Sequence, residues 1–216
     1  VTTANVAKAA TASVPKRVGL FGGAFDPPHR THRALAEAAI AQLQLDILHV
    51  VPTGEAWHKQ RALTPAEDRL AMCHLAFDGV ERAVVDERET RRSGPTYTID
   101  TLQELQVLYP GAQLYLIMGE DQAKALASWH RAEDLGRAAI ICVASRSDPI
   151  AAAPSAVDSS QLPGSLLRRR QSLQLPPSPL NATEVRDRAA HGQSVSALVI
   201  ESVARYIDQH HLYQTA

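Results

Sequence analysis

The stretch Gly22-Gly23-Ala24-Phe25-Asp26-Pro27-Pro28-His29-Arg30-Thr31-His32 restricts what this chain can become more than any other. Arg17-Val18-Gly19-Leu20-Phe21 before it reads as a short apolar strand running into a glycine turn. Asp26 is placed to N-cap a helix with Pro27 in its first position, where the missing N–H costs nothing. His29 and His32, three residues apart, share one face of the helix's first turns. Backbone N–H groups, the positive end of the helix dipole and two imidazoles then converge on one point, a place for an anion of phosphate size.

Two other readings compete. An HxxH pair can hold a metal, with His58 as a third ligand, but Lys59 beside it opposes a cation and such sites need supporting partners. The pair can also be two surface histidines. The glycine turn, the prolines and the preceding strand favour the anion. No GxxxxGK[ST] occurs, which excludes a P-loop, and Gly19, Gly22 and Gly23 lack the GxGxxG spacing of a dinucleotide fingerprint.

Apolar runs at 17–21, 47–51, 83–85, 114–118 and 138–144 are predicted strands. Helical spacing is found at 33–43, 65–77, 98–108 and 121–126. This alternation predicts an α/β fold, a doubly wound parallel sheet whose ligands bind beyond the strands' carboxyl ends, where the motif glycines fall. The pattern breaks at 148–179, a Pro-, Ser- and Ala-rich stretch around Leu167-Arg168-Arg169-Arg170. It reads as an irregular loop insertion with a solvated basic triplet or, functionally, as a mobile basic loop near phosphates. Two helical segments, 184–191 and 196–211, follow. Residues 17–213 are therefore expected to form one domain, with 181–213 as its C-terminal helical part. Residues 1–16 lack a continuous apolar run and are expected to be a disordered leader.

A net charge of −1 leaves no field that would hold nucleic acid or an anionic membrane. No apolar run approaches the roughly 20 residues needed to span a bilayer. Cys73 and Cys142 lie in apolar-periodic segments and read as packed thiols of a reducing compartment, so a cytoplasmic location is expected.

The first motif resembles the G-G-x-F-D-P-x-H-x-x-H signature of nucleotidyltransferases related to the class I aminoacyl-tRNA synthetases. Pro52-Thr53-Gly54-Glu55-Ala56-Trp57-His58-Lys59, Gly94-Pro95-Thr96-Tyr97-Thr98, Ile117-Met118-Gly119-Glu120-Asp121, Ser128-Trp129 and Asn181-Ala182-Thr183-Glu184-Val185-Arg186 extend the likeness. In that order they resemble the blocks of the bacterial nicotinate-nucleotide adenylyltransferase family, over about residues 17–213. The resemblance implies a Rossmann-like nucleotidyltransferase fold with C-terminal helices. It also implies transfer of AMP from ATP to nicotinate mononucleotide, giving deamido-NAD and pyrophosphate. On that likeness Gly22, Gly23, Phe25, His29, His32, Gly119, Asp121, Arg146, Asn181, Thr183 and Arg186 bind ATP. Gly119 and Asp121 hold ribose, Arg146 lies near the adenine, and His29, His32 and Arg186 stabilise phosphate charge during catalysis. Tyr97, Thr98 and Trp129 would surround the pyridine ring, and His58 and Lys59 would neutralise the acceptor phosphate. Mg²⁺ would be held mainly by ATP phosphates rather than by a protein metal site. The expected partners are these two nucleotides, with homo-oligomerisation left open.

Read on their own, Asn181 and Glu184 form a plausible capping arrangement, and Arg186 in the first turn can hold two phosphate oxygens at once. Trp129 is either a platform for a flat heterocycle or a core side chain. Two positions depart from the family pattern: Thr31 stands where Gly is common, and Leu180-Asn181 where Ile-Ser is usual. Competing functions are a sister transferase acting on nicotinamide mononucleotide or phosphopantetheine, and a nucleotide-binding regulator without turnover.

Overall fold

Near-continuous apolar runs become central strands when both of their faces are covered. In the computed structural model, which describes residues 14–55, 62–145, 166, 169–176, 178 and 180–214, these are β1 (Arg17–Gly23), β2 (Ile47–Pro52), β4 (Gln113–Gly119) and β5 (Ala139–Ser145), while the short β3 (Ala83–Val85) forms one edge. A sixth strand, β6 (Arg170–Gln174), completes an all-parallel sheet of order β3-β2-β1-β4-β5-β6. β1 thus has β2 on one side and β4 on the other, with Gly19 opposite Leu48 and Tyr115. The helices are α1 (Arg30–Leu43), α2 (Ala66–Phe77), α3 (Thr98–Leu108), α4 (Glu120–Ala125), α5 (Ala132–Ala138), α6 (Ala182–Ala190) and α7 (Glu201–Gln209).

β6 lies inside the stretch read as irregular. Arg-Gln-Ser-Leu-Gln buries only Leu173, so an edge strand with one apolar anchor leaves no alternation to detect. Of the basic triplet, Arg168 lies outside the described residues, and Arg169 is bonded away from the glycine turn. Arg169 donates to the Arg137 carbonyl (3.1 Å) and to Gln113 Oε1 (2.8 Å), at the end of the sheet where β4 begins. His58, Lys59, Arg146 and residues 1–13 lie outside the described residues.

Strand alternation sends successive side chains to opposite layers. Phe21, Leu48, Val50 and Ile117 meet Leu35 and Ala39 of α1, Met72 and Cys73 of α2, and Val203 and Ile207 of α7. Val18, Leu20, Leu116 and Met118 meet Ile99, Leu102 and Leu105 of α3 and Leu135 of α5 on the other face. Each fully buried Leu, Ile, Val or Met contributes about 1.5–3 kcal/mol relative to exposure. Both cysteines are free and buried; burial pushes the Cys142 thiol up to about 12 and raises Cys73 as well, so neither is a nucleophile at neutral pH. Among the described residues no helix is long and apolar enough to cross a membrane.

Polar contacts fasten α3 to the sheet edge. His49, buried on β2, places Nδ1 2.7 Å from Asp86 and Nε2 3.0 Å from the Tyr109 hydroxyl just past α3. Arg88 donates to Asp86 (2.9 Å) and to Glu104 of α3 (3.3 Å), and Arg92 reaches Thr101 and Glu104. Burial by itself would raise the Asp86 carboxyl, but the bonds from His49 and Arg88 outweigh it and hold it far below the usual carboxylate range. Its contribution is therefore present above the unfolded value of about 3.9 and is lost as pH falls below that value. Asp86→Asn should cost about 1–3 kcal/mol at pH 7. In urea melts the gap between wild type and variant should stay constant from pH 7 down to about pH 5 and narrow only as the buffer is taken below about pH 4.

Candidate active site

The glycine turn leaves β1 as expected, but the helix after it starts later than Asp26-Pro27 suggests. α1 begins at Arg30, with His29 as N-cap. The His29 N–H donates to His32 Nδ1 (3.1 Å), and the two rings stack with centroids 3.7 Å apart. Because Nδ1 accepts, the neutral His32 ring carries its proton on Nε2, the donor form that contact with an anion requires. The Arg30 N–H goes to the Leu198 carbonyl (3.0 Å), so the segment before α7 closes part of the α1 amino end.

Asp26 is a buried brace rather than the cap. It is 2% exposed, accepts from the Thr64 N–H (3.3 Å) and the Tyr213 hydroxyl (2.7 Å), and turns its backbone carbonyl to Arg186 Nη1 (2.8 Å). Tertiary partners outcompete the local capping preference here. Phe25 sits at φ 46, the left-handed region, at a cost of about 1–2 kcal/mol. Its ring, 2% exposed, packs edge-on against Phe21, Phe77 and His32 with centroids 5.2, 5.9 and 5.1 Å away. A Cβ on Gly23 would press on that ring at 3.2 Å, so the turn needs its glycine.

Two clefts open on either side of this turn, each of about 280 Å³. The first is lined by Gly22, Gly23, Phe25, His29, His32, Gly119, Asp121 and Asn181, eight of the residues expected to bind ATP. Asn181 caps α6, its Oδ1 accepting from the Glu184 N–H (2.9 Å), while Glu184 pairs with Arg188 instead of reaching back. Thr183 and Arg186 stand behind the wall: Arg186 Nη2 donates to Thr183 Oγ1 (3.0 Å) and Nη1 to Asp26.

The second cleft is lined by Tyr97, Thr98 and Trp129, as expected, with Glu89, Thr96 and His130. Tyr97 and His130 stack at 4.2 Å, and Trp129, half-buried, both lines the cleft and packs against the core beneath it. Gly22, Gly23, Ala24, Asp121 and Gln122 line both clefts. Asp121, expected on the ATP side, therefore stands at their junction.

The sequence reading missed Glu89 and Arg69. Glu89, 6% exposed, accepts from Thr101 (2.6 Å); burial raises its carboxyl, and bonds from Thr101, Thr53 and Thr96 with the nearby Arg92 charge lower it in part. A Cβ on Gly54 would run into the Glu89 carbonyl, which explains that glycine in the Pro52–Lys59 block. Arg69, 2% exposed, donates to the carbonyls of Thr64 (2.8 Å), Ala24 (3.0 Å) and Thr53 (2.7 Å), stitching the exits of β1 and β2 together. An Arg on the buried stripe of a helix was the available signal.

A family model described as cytidylyltransferase-like matches residues 20–188. The chain is 53% identical over 201 residues to a protein of Albidiferax ferrireducens named "Probable nicotinate-nucleotide adenylyltransferase", covering 93% of this chain and 100% of that one. A Methylibium petroleiphilum protein of the same name is 38% identical, with 94% of each covered. Among solved structures, Plasmodium falciparum nicotinic acid mononucleotide adenylyltransferase complexed with APC shares the fold, at TM-score 0.70 and 18% identity over 92% of this chain and 97% of that one. The same parasite enzyme complexed with NaAD aligns at TM-score 0.70 and 17% identity, with the same coverage. With a relative of that identity matched end to end, on a sheet whose motif glycines join two clefts, the chain belongs to the nicotinate-nucleotide adenylyltransferase family, within the cytidylyltransferase-like group.

Proposed function

We propose that this protein transfers AMP from ATP to the 5′-phosphate of nicotinate mononucleotide, releasing pyrophosphate and forming deamido-NAD. The observation that carries the reading is the pair of clefts meeting at Gly22-Gly23-Ala24. One offers stacked histidines and the amino ends of α1 and α6, suited to a polyphosphate. Its neighbour offers Tyr97 and Trp129, suited to a flat ring. A nucleotidyl transfer needs two anions held in line at one point, and the shared turn is that point.

An acceptor phosphate oxygen attacks the α-phosphorus, the bond from that phosphorus to the β-bridging oxygen breaks, and pyrophosphate leaves with the electron pair. The acceptor is already ionised at neutral pH, so no strong general base is required. His29 and His32 would donate to phosphate oxygens as charge builds, and Arg186 would sit where α6 receives the leaving group. Gly119 and Asp121 remain our choice for the ribose. Tyr97 and Trp129 would hold the pyridine ring, with backbone N–H groups at the start of α3 facing its carboxylate. Among the described residues no cluster of three or more His, Cys, Asp or Glu is arranged for a metal. A divalent cation, which we take to be Mg²⁺, would be held mainly by phosphate oxygens, the ligands it prefers. When bound it supplies neutralising charge to the leaving pyrophosphate.

The direct test is pyrophosphate release with ATP and Mg²⁺, offering nicotinate mononucleotide, nicotinamide mononucleotide and phosphopantetheine in parallel. The nicotinate form should be strongly preferred; preference for either other acceptor would overturn the substrate assignment. His32→Ala should lower kcat by about 10²–10³, and unchanged turnover would remove His32 from the chemistry. Trp129→Ala should raise KM for the acceptor by roughly tenfold through lost stacking, with KM for ATP little changed in the same steady-state assay.

A further inference from the structure

The chain that follows α7 turns back toward the phosphate-binding turn. His211 and Tyr213 both take positive φ, 51 and 67. Two non-glycine residues in the left-handed region within three positions cost about 1–2 kcal/mol each and persist only where other contacts hold them there. Here the holding contact is specific: the Tyr213 hydroxyl donates to Asp26 Oδ1 at 2.7 Å, across 187 residues of sequence. Asp26 Oδ2 receives the Thr64 N–H, and the Asp26 carbonyl receives Arg186.

We infer that Tyr213 is a positioning residue for the transfer. By fixing the Asp26 carboxylate it fixes the peptide whose carbonyl, together with Thr183, holds the Arg186 guanidinium and its charge just behind the wall of the histidine cleft. The inference rests on the adenylyl-transfer reading for its kinetic consequences. Burial first, and the Asp26 carboxylate second, push the phenol far above its ordinary value, with the Arg186 charge near enough to pull it back in part. The hydroxyl therefore remains a hydrogen-bond donor at any pH the protein would work in.

A matched control exists on the helix just before. Tyr206 also donates to a carboxylate, Asp68 Oδ1 (2.9 Å), but joins α7 to α2 away from both clefts. Both Tyr→Phe changes delete one oxygen and keep the ring, so they compare a brace on the turn with a brace on the scaffold.

The experiment measures kcat, KM for each substrate, melting temperature and equilibrium binding of a non-hydrolysable ATP analogue for Tyr213→Phe and Tyr206→Phe. It then repeats Tyr213→Phe in an Arg186→Lys background. Tyr213→Phe is expected to lower kcat and weaken analogue binding roughly tenfold each, since small misplacements of a binding group are amplified in rate. KM for nicotinate mononucleotide should move less than about twofold, and Tyr206→Phe should lose melting temperature without losing kcat. In the Arg186→Lys background the further loss from Tyr213→Phe should shrink to less than about twofold, because two changes on one chain of contacts are not independent. Wild-type kcat in Tyr213→Phe, equal losses in the two backgrounds, or an equal kcat loss in Tyr206→Phe would overturn the inference. A Tyr213→Phe protein that does not fold would count against it in the same way, by making the tyrosine a structural support. The analogue-binding arm needs no acceptor, so a wrong acceptor assignment would show in the wild-type assay and leave this arm readable.

Discussion

The reversal of strand order between β1 and β4 is the constraint on which the rest depends. Chain leaving β1 climbs to α1 on one layer, while chain leaving β4 enters α4 and passes on to α5 beside α3 on the other. The carboxyl end of β1 is therefore left between diverging connections, with room on both sides of it. A residue with a side chain at Gly23 would fill part of that room from below, against Phe25. Glycine, the strained phenylalanine and the histidine start of α1 all follow from needing a backbone turn narrow enough to be touched from two clefts.

On the proposed reading the turn meets phosphates, which sets a polarity problem as well as a steric one. Carbonyl oxygens repel the ligand that N–H groups attract. Arg69 addresses this from beneath, drawing the carbonyls of Ala24 and Thr53 toward a guanidinium that is itself 2% exposed. Arg186 does the same for the Asp26 carbonyl. Both cations are placed where a neutral donor would also satisfy the carbonyl, but a guanidinium adds a fixed positive field close to the anion site. Burying such charges is costly unless several acceptors share them, and Arg69 has at least three.

Legibility in the sequence tracked the range of the interactions. The first five strands and the α1 face of Leu35, Ala39 and Leu43 are written in local periodicity, because each is decided by its own neighbours' burial. β6 was missed because an edge strand with one buried anchor has no period. The start of α1 was misplaced because Asp-Pro is a general capping signal, whereas Asp26 answers to Thr64 and Tyr213, 38 and 187 residues away. Within the site, Gly22, Gly23, His29, His32, Tyr97 and Trp129 stood out through residue type and spacing. Glu89 and Arg69 did not, since a charged residue looks the same in solvent and in a buried network until its partners are known.

The two departures from the family pattern can be weighed by what their side chains do. Thr31 replaces a glycine at the first turn of α1, and its hydroxyl is 2.9 Å from Ser178 Oγ, on the segment leading to α6. Its polar atom is engaged with the protein, tying one phosphate-facing helix start to the other. Asn181 replaces a serine, and its Oδ1 caps the Glu184 N–H, the bond a serine hydroxyl would make. Both substitutions therefore keep a helix amino end in place: one by bridging α1 to the approach of α6, the other by capping α6 itself. On the proposed reading, the departures are a second way of holding the same two helix starts around the glycine turn.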